Sequence, residues 1–217
     1  EYMFWTVNCG AVPAILNVWF PGSEAGDAIA DVLFGDVNPS GKLTTSFPRN
    51  VGQIPIHYDE LPTGRPLAEG SKFVKFTSAY LDVPNTPLYP FGYGLSYTTY
   101  EYSPMTLSAD RMTEQGNIQV SVTVKNTGDC DGDEIVQLYI RDLVGSVSRP
   151  LKQLKGFQRI HLKKGESKKV TFTLTSELLK FYNSELQYVC EPGDFEVMVG
   201  PDSQRVERRR FTLSANN

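Results

Sequence analysis

The residues whose types and spacing could do chemistry fall in a few places. Asp59 and Glu60 stand side by side in a stretch that also holds His57, Tyr58 and Arg65. Two carboxyls can act as general acid and base, and cleavage of a glycosidic bond asks for such a pair set across the bond. Adjacent side chains diverge instead, so Asp59–Glu60 reads as surface charge. His57 has no clustered partner of a ligating type and is a poor metal candidate. Asp129-Cys130-Asp131-Gly132-Asp133-Glu134 alternates carboxylates in a way that suits calcium. An EF-hand loop, however, needs Gly sixth and Glu twelfth, where this chain has Glu134 and Ile140, so the run reads as a charged hairpin turn. Tyr89, Phe91, Tyr93 and Trp19 offer ring faces that could stack on a sugar or pack a seam. No serine nucleophile motif, phosphate loop or metal-ligand pattern appears, and no cofactor is implied.

The elements that must position these groups change character along the chain. Val12–Phe20 is a short, almost wholly apolar run, as expected of a strand covered on both faces. Pro21-Gly22 stops it, Ser23 is a suitable N-cap, and Ala25, Ala28, Ile29, Val32 and Leu33 recur at helical spacing until Gly35. Lys42–Phe47 looks like another strand before Pro48. Strand, helix, strand in this order belongs to a parallel sheet whose ligands gather beyond the strand carboxyl ends, which would put Trp19, Phe20 and the Pro21–Glu24 turn near any site. Glu24 already has a structural use, as negative charge in the first helical turn. One such unit is not a domain; it must complete its sheet with other chain or expose apolar surface. Val51–Asn85, rich in proline and glycine, reads as a long ordered loop.

Pro87–Tyr102, PLYPFGYGLSYTTYEY, carries six aromatics and is unsuited to helix. It reads as a joint between packed bodies. Beyond it the pattern is all β: Ile118–Val124 alternates, Asn126-Thr127-Gly128 begins a turn, and Ile135–Asp142 is a second strand. Further strands are expected at Leu154–Leu162, Lys168–Leu174, Phe195–Val199 and Arg209–Leu213, with turns marked by Gly165 and Gly193. About seven short strands in this length make an immunoglobulin-like sandwich. The expected division is 1–102 and 103–217.

A formal net charge of −4 gives no broad basic field for nucleic acid, and Arg208–Arg210 reads as a solvated strand end. No apolar run reaches the ~20 residues of a membrane helix. The sequence starts at Glu1 without a signal-peptide layout, which suits a fragment or processed product. Cys9, Cys130 and Cys190 are too scattered for a disulfide framework; a Cys130–Cys190 bridge is conceivable, and mostly buried free thiols are the preferred reading.

Five ordered motifs then carry a resemblance: Pro13–Phe34 (PAILNVWFPGSEAGDAIADVLF), Gly35–Pro48 (GDVNPSGKLTTSFP), Pro62–Pro66 (PTGRP), Leu88–Tyr97 (LYPFGYGLSY) and Ser148–Phe157 (SRPLKQLKGF). Together they closely resemble the C-terminal part of glycoside hydrolase family 3, β-glucosidase type. The resemblance implies a partial α/β sandwich up to about residue 102, followed by a fibronectin type III-like domain. It also implies a parent that hydrolyses β-glucosides or β-linked oligosaccharides with retention. The family's aspartate nucleophile sits in a Ser-Asp-Trp segment of an N-terminal barrel and its glutamate acid–base lies upstream of these motifs, so no catalytic residue, substrate contact or metal ligand is assigned here. Ala79 stands where relatives often carry Arg, and Glu1–Gly10 is not the family's usual lead-in. The implied partners are the missing N-terminal domains or a second copy of the chain, and the implied location is secreted or periplasmic.

Overall fold

The computed structural model describes residues 12–67, 71 and 74–215. Its main body is a two-sheet β-sandwich. One sheet is centred on β4 (Asn117–Asn126), which pairs along one edge with β7 (Ser167–Thr175) and along the other with β1 (Tyr100–Tyr102) and β2 (Thr106–Leu107). The second runs β3 (Arg111–Met112), β11 (Glu207–Leu213), β10 (Gly193–Gly200), β5 (Gly132–Asp142), β6 (Gln153–Leu162). All pairings are antiparallel except β3 with β11. A small hairpin, β8 (Phe181–Tyr182) with β9 (Tyr188–Val189), follows a single helical turn at Ser176–Leu179.

The alternation that marks these strands produces the core. Ile118, Val120, Val122 and Val124 of β4 face Val136, Leu138 and Ile140 of β5 and Phe195, Val197 and Val199 of β10, with Val170, Phe172, Leu174, Phe211 and Leu213 closing the cluster. Phe195 and Phe211 stack with centroids 5.4 Å apart. The six expected strands are all present, each one to three residues longer than expected. The sequence reading did not include β1, β2, β3, β8 and β9, each too short to show a period. Gly193 opens β10 rather than sitting in a turn, whereas Gly165 does turn the chain, with φ +77°. Tyr100–Tyr102, at the end of the aromatic stretch, already hydrogen-bonds into the sandwich sheet.

The first hundred residues differ more from expectation. Val12–Phe20 forms no strand: a buried-strand composition has no sheet neighbour among the described residues, and Val12, Ile15, Leu16, Val18, Trp19 and Phe20 are exposed. Lys42–Phe47 is likewise not a continuous strand. It meets the aromatic stretch through Leu43 N–H to Tyr93 C=O and Phe47 N–H to Tyr89 C=O, each 2.8 Å, with one antiparallel bridge at Phe47–Tyr89. Helix α1 (Ala25–Phe34) is present and ends on Gly35 in the left-handed region, φ +88°. Its N-cap is Glu24 rather than Ser23 and makes no side-chain capping bond. The loop after residue 50 is ordered by Gln53, buried at 1% exposure, whose amide accepts from the Arg49 and Asn50 N–H groups and donates to Pro84 C=O.

Candidate functional site

The seam between the two parts is the best-built feature outside the sandwich core, and β5 explains it. Ile135–Asp142 does not alternate cleanly, because Gln137 and Tyr139 on the face away from the core are buried as deeply as Val136 and Leu138. The aromatic stretch covers them. Phe91 stacks on Tyr58 with centroids 4.1 Å apart, and Tyr58 meets Tyr139 edge-on at 5.9 Å. Gln137 donates to Gly92 C=O (3.0 Å) and Pro201 C=O (2.6 Å) and accepts from the Tyr139 hydroxyl. Gly92 is required on two counts: its φ is +80°, and a Cβ there would lie 2.1 Å from Gln137 Oε1. Burial pushes the Tyr58 and Tyr139 hydroxyls above their ordinary range, so both stay protonated.

Polar clasps flank the stack. Lys42 reaches Glu134 at 2.9 Å, both side chains largely buried, in an ion pair joining the first part of the chain to the second. Asn38 accepts from Ser96 Oγ and Tyr97 N–H, each 2.8 Å, and donates to Asp131 C=O at 2.9 Å. Asn126, fully buried, accepts from Thr98 Oγ1 at 2.6 Å and donates to Cys130 C=O and Leu162 C=O. The sequence reading assigned none of these residues to a seam: it named Glu134 only within a charged hairpin and Asn126 only as the start of a turn. The near-continuous apolar run Ile135–Ile140, interrupted only by Gln137, was the available sign of them, since a strand covered on both faces implies a second layer.

The groups first considered for chemistry are dispersed. Asp59, Glu60, His57 and Arg65 are exposed; of that stretch Tyr58 enters the seam by its side chain, and Glu60 reaches the second part only through its backbone carbonyl, which accepts from Leu151 N–H at 2.9 Å. The Asp129–Glu134 carboxylates go to separate basic partners: Asp129 to Lys164 at 2.7 Å, Asp133 to Arg159 and His161, and Glu134 to Lys42. Asp131 accepts the Lys164 backbone N–H, and among the described residues no cluster of metal-ligating side chains forms. Arg208 and Arg210 lie with Arg141 around Glu196, within 4.0 Å of it, on the outer face of β5, β10 and β11. Cys130 and Cys190 are free thiols; Cys130 is exposed, not buried as expected, because it sits on the loop that carries the chain from β4 in one sheet to β5 in the other, a crossover and not the expected hairpin, and Cys9 lies outside the described residues. Tyr89, Phe91 and Tyr93 are half-buried: Tyr89 stacks on Tyr93 at 5.1 Å, and Arg205 lies over the Tyr93 ring. Their rings are engaged within the protein. Trp19 packs edge-on against Phe47 at 6.2 Å while remaining 53% exposed, beside Phe20 at 94%.

Two family models match the chain, one on each side of this seam. Residues 2–97 match the glycosyl hydrolase family 3 C-terminal domain, and residues 134–203 match the fibronectin type III-like domain. The chain belongs to glycoside hydrolase family 3 and corresponds to the C-terminal part of its β-glucosidase-type members. A periplasmic beta-glucosidase of Salmonella typhimurium is 55% identical over 200 residues, 92% of this chain and 26% of the relative. A beta-xylosidase of Formosa agariphila is 47% identical over 94% of this chain and 27% of its own length. The chain thus spans about a quarter of the length of these relatives. Among solved structures, a beta-glucosidase from Listeria innocua in complex with glucose superposes with a TM-score of 0.86 at 46% identity, covering 91% of this chain and 27% of the other. A mutant of that enzyme has been solved with laminaribiose.

Proposed function

We propose that this chain is the non-catalytic C-terminal portion of a retaining β-glucosidase or related β-glycosidase. Its role is to hold the end of the α/β domain against the fibronectin type III-like domain and to support the rim of an active site built mainly by the rest of the parent. The observation that carries this reading is the contrast between two apolar surfaces. The sandwich buries its apolar face, whereas Val12–Phe20 has the composition of an interior strand and lies uncovered, as do Leu33 and Phe34, 63% and 85% exposed. Surface of that kind asks for a covering layer, and the parent's remaining α/β elements supply one. Retention requires two carboxyls roughly 5–5.5 Å apart across the bond, and Asp59–Glu60, adjacent and exposed, is not such a pair. Substrates are β-linked glucosides or oligosaccharides. Secretion or periplasmic residence fits the Salmonella relative, a periplasmic beta-glucosidase, and among the described residues no helix is long and apolar enough to cross a membrane.

The test is hydrolysis of an aryl β-glucoside by the purified 217-residue chain against a blank preparation, alongside the longer parent. Turnover by the parent and none by the chain is expected. Activity that tracks the isolated chain would place the catalytic carboxyls inside it and overturn the reading.

A further inference from the structure

The β8–β9 hairpin carries an aromatic pair that the seam does not use. Tyr182 and Tyr188 face each other across the hairpin in register, with ring centroids 5.0 Å apart and planes tilted by 41°. Both are open to solvent, 64% and 50% exposed, in contrast to the half-buried Tyr89, Phe91 and Tyr93. Attachment of the hairpin does not depend on them. Phe181 is buried at 4% exposure beneath the Arg149 guanidinium, 4.2 Å from its ring centroid, and anchors the unit to the sandwich. The tip is held by its own hydrogen bonds: Asn183 Oδ1 accepts the N–H groups of Glu185 and Gln187, each at 3.0 Å, and Asn183 N–H donates to Gln187 C=O at 3.1 Å. The tyrosines therefore stand on a pre-set backbone, with Ser184, Glu185 and Gln187 exposed around them and Leu186 81% exposed at the tip.

We propose that Tyr182 and Tyr188 form an accessory sugar-binding platform for a β-linked gluco- or xylo-oligosaccharide. The all-equatorial pyranose ring of such a chain presents an apolar C–H face, and successive residues turn relative to one another. The open faces of the two tilted rings can take sugar faces, while the surrounding amide and carboxylate groups and the Lys180 ammonium, 5.9 Å from the Tyr188 ring centroid, meet hydroxyls. Leu186 is the one apolar side chain of the tip and is flanked by Ser184, Glu185 and Gln187, a mixed rim that suits the hydroxyls and C–H faces of a sugar better than a wholly apolar protein partner. The choice of ligand rests on the proposed role of the parent; the location rests on the hairpin alone.

The experiment titrates the whole 217-residue chain with cellotriose, laminaritriose, xylotriose and α-linked maltotriose, reading backbone amide shifts by NMR. Saturable shifts confined to the hairpin with one or more β-linked trimers, and weaker ones with maltotriose, are expected. Tyr182→Ala and Tyr188→Ala should each weaken binding by about tenfold or more. Tyr182→Phe, which keeps the ring, should stay within about twofold, distinguishing stacking from collapse of the hairpin. No saturation up to about 50 mM, equal binding of maltotriose, or shifts centred on Trp19 and Tyr89 would overturn it. So would a dimer in sedimentation that the alanine variants dissolve, since a second copy would then be the occupant. A parent active on β-glucosides whose hairpin binds no sugar would remove this inference and leave the proposed function intact.

Discussion

Val12–Phe20 and Ile118–Val124 are both apolar segments suited to strands, yet one lies open and the other is the centre of a sheet. Ile118–Val124 has a neighbour on each edge and a second sheet across its face. Val12–Phe20 has none of these among the described residues. The same contrast holds for the two parts as wholes: before Met105 the buried apolar side chains among the described residues are only Phe47, Pro48 and Pro90. Strand propensity is a fit to a half-buried pleated surface, so it has no effect until that surface is supplied. The sandwich contains both halves of its core, while the α/β part contains one half.

The largest effect expected from this difference is in hydrogen exchange. Amides of β4, β5 and β10 should exchange only through global unfolding, and those of α1 through local opening, about a thousandfold faster or more. Equal protection in the two would mean that the α/β part is covered in solution, and mass measurement would then identify a dimer.

Substitution sharpens the comparison next. Phe195→Ala removes a ring that is 1% exposed and should destabilise the chain by about 3–5 kcal/mol in denaturant unfolding. Phe34→Ala removes one that is 85% exposed and should change it by less than about 0.5 kcal/mol. A large effect at Phe34 would contradict the open-face description.

Lys42→Ala tests whether the two parts are joined by their polar clasps. It leaves Glu134 buried without its cation and should destabilise by about 3 kcal/mol, somewhat less if water reaches the carboxylate. Proteolysis of the first hundred residues should quicken with it. If cleavage is unchanged, the aromatic stack alone holds the seam.

The smallest effect concerns pH. Burial alone would raise the Asp133 carboxyl, but hydrogen bonds from His161 and Arg159 and their charges outweigh it and hold the group below the usual carboxylate range. A carboxyl lowered on folding stabilises fully above its unfolded pKa, about 4, and loses that contribution as pH falls through the lower folded value. Asp133→Asn should therefore reduce stability slightly at pH 7 and flatten the dependence below about pH 4. An unchanged acid limb would show that this exposed cluster contributes nothing.

What was legible in advance follows the range of each signal. The long strands β4, β5, β6, β7, β10 and β11 announced themselves by alternation, α1 by its period and by Gly35, and the family by five ordered motifs, all properties of neighbouring residues. The seam was legible only as a dense aromatic run. That Tyr58 would stack on Phe91, that Gln137 would fill the space beside Gly92, and that Lys42 would meet Glu134 depended on residues far apart in sequence. Tertiary structure also decided which aromatics remain open: Tyr89, Phe91 and Tyr93 became packing, and Tyr182 and Tyr188 were left facing water. Local pattern fixes which face of an element is apolar, and only the assembled layers determine whether anything covers it.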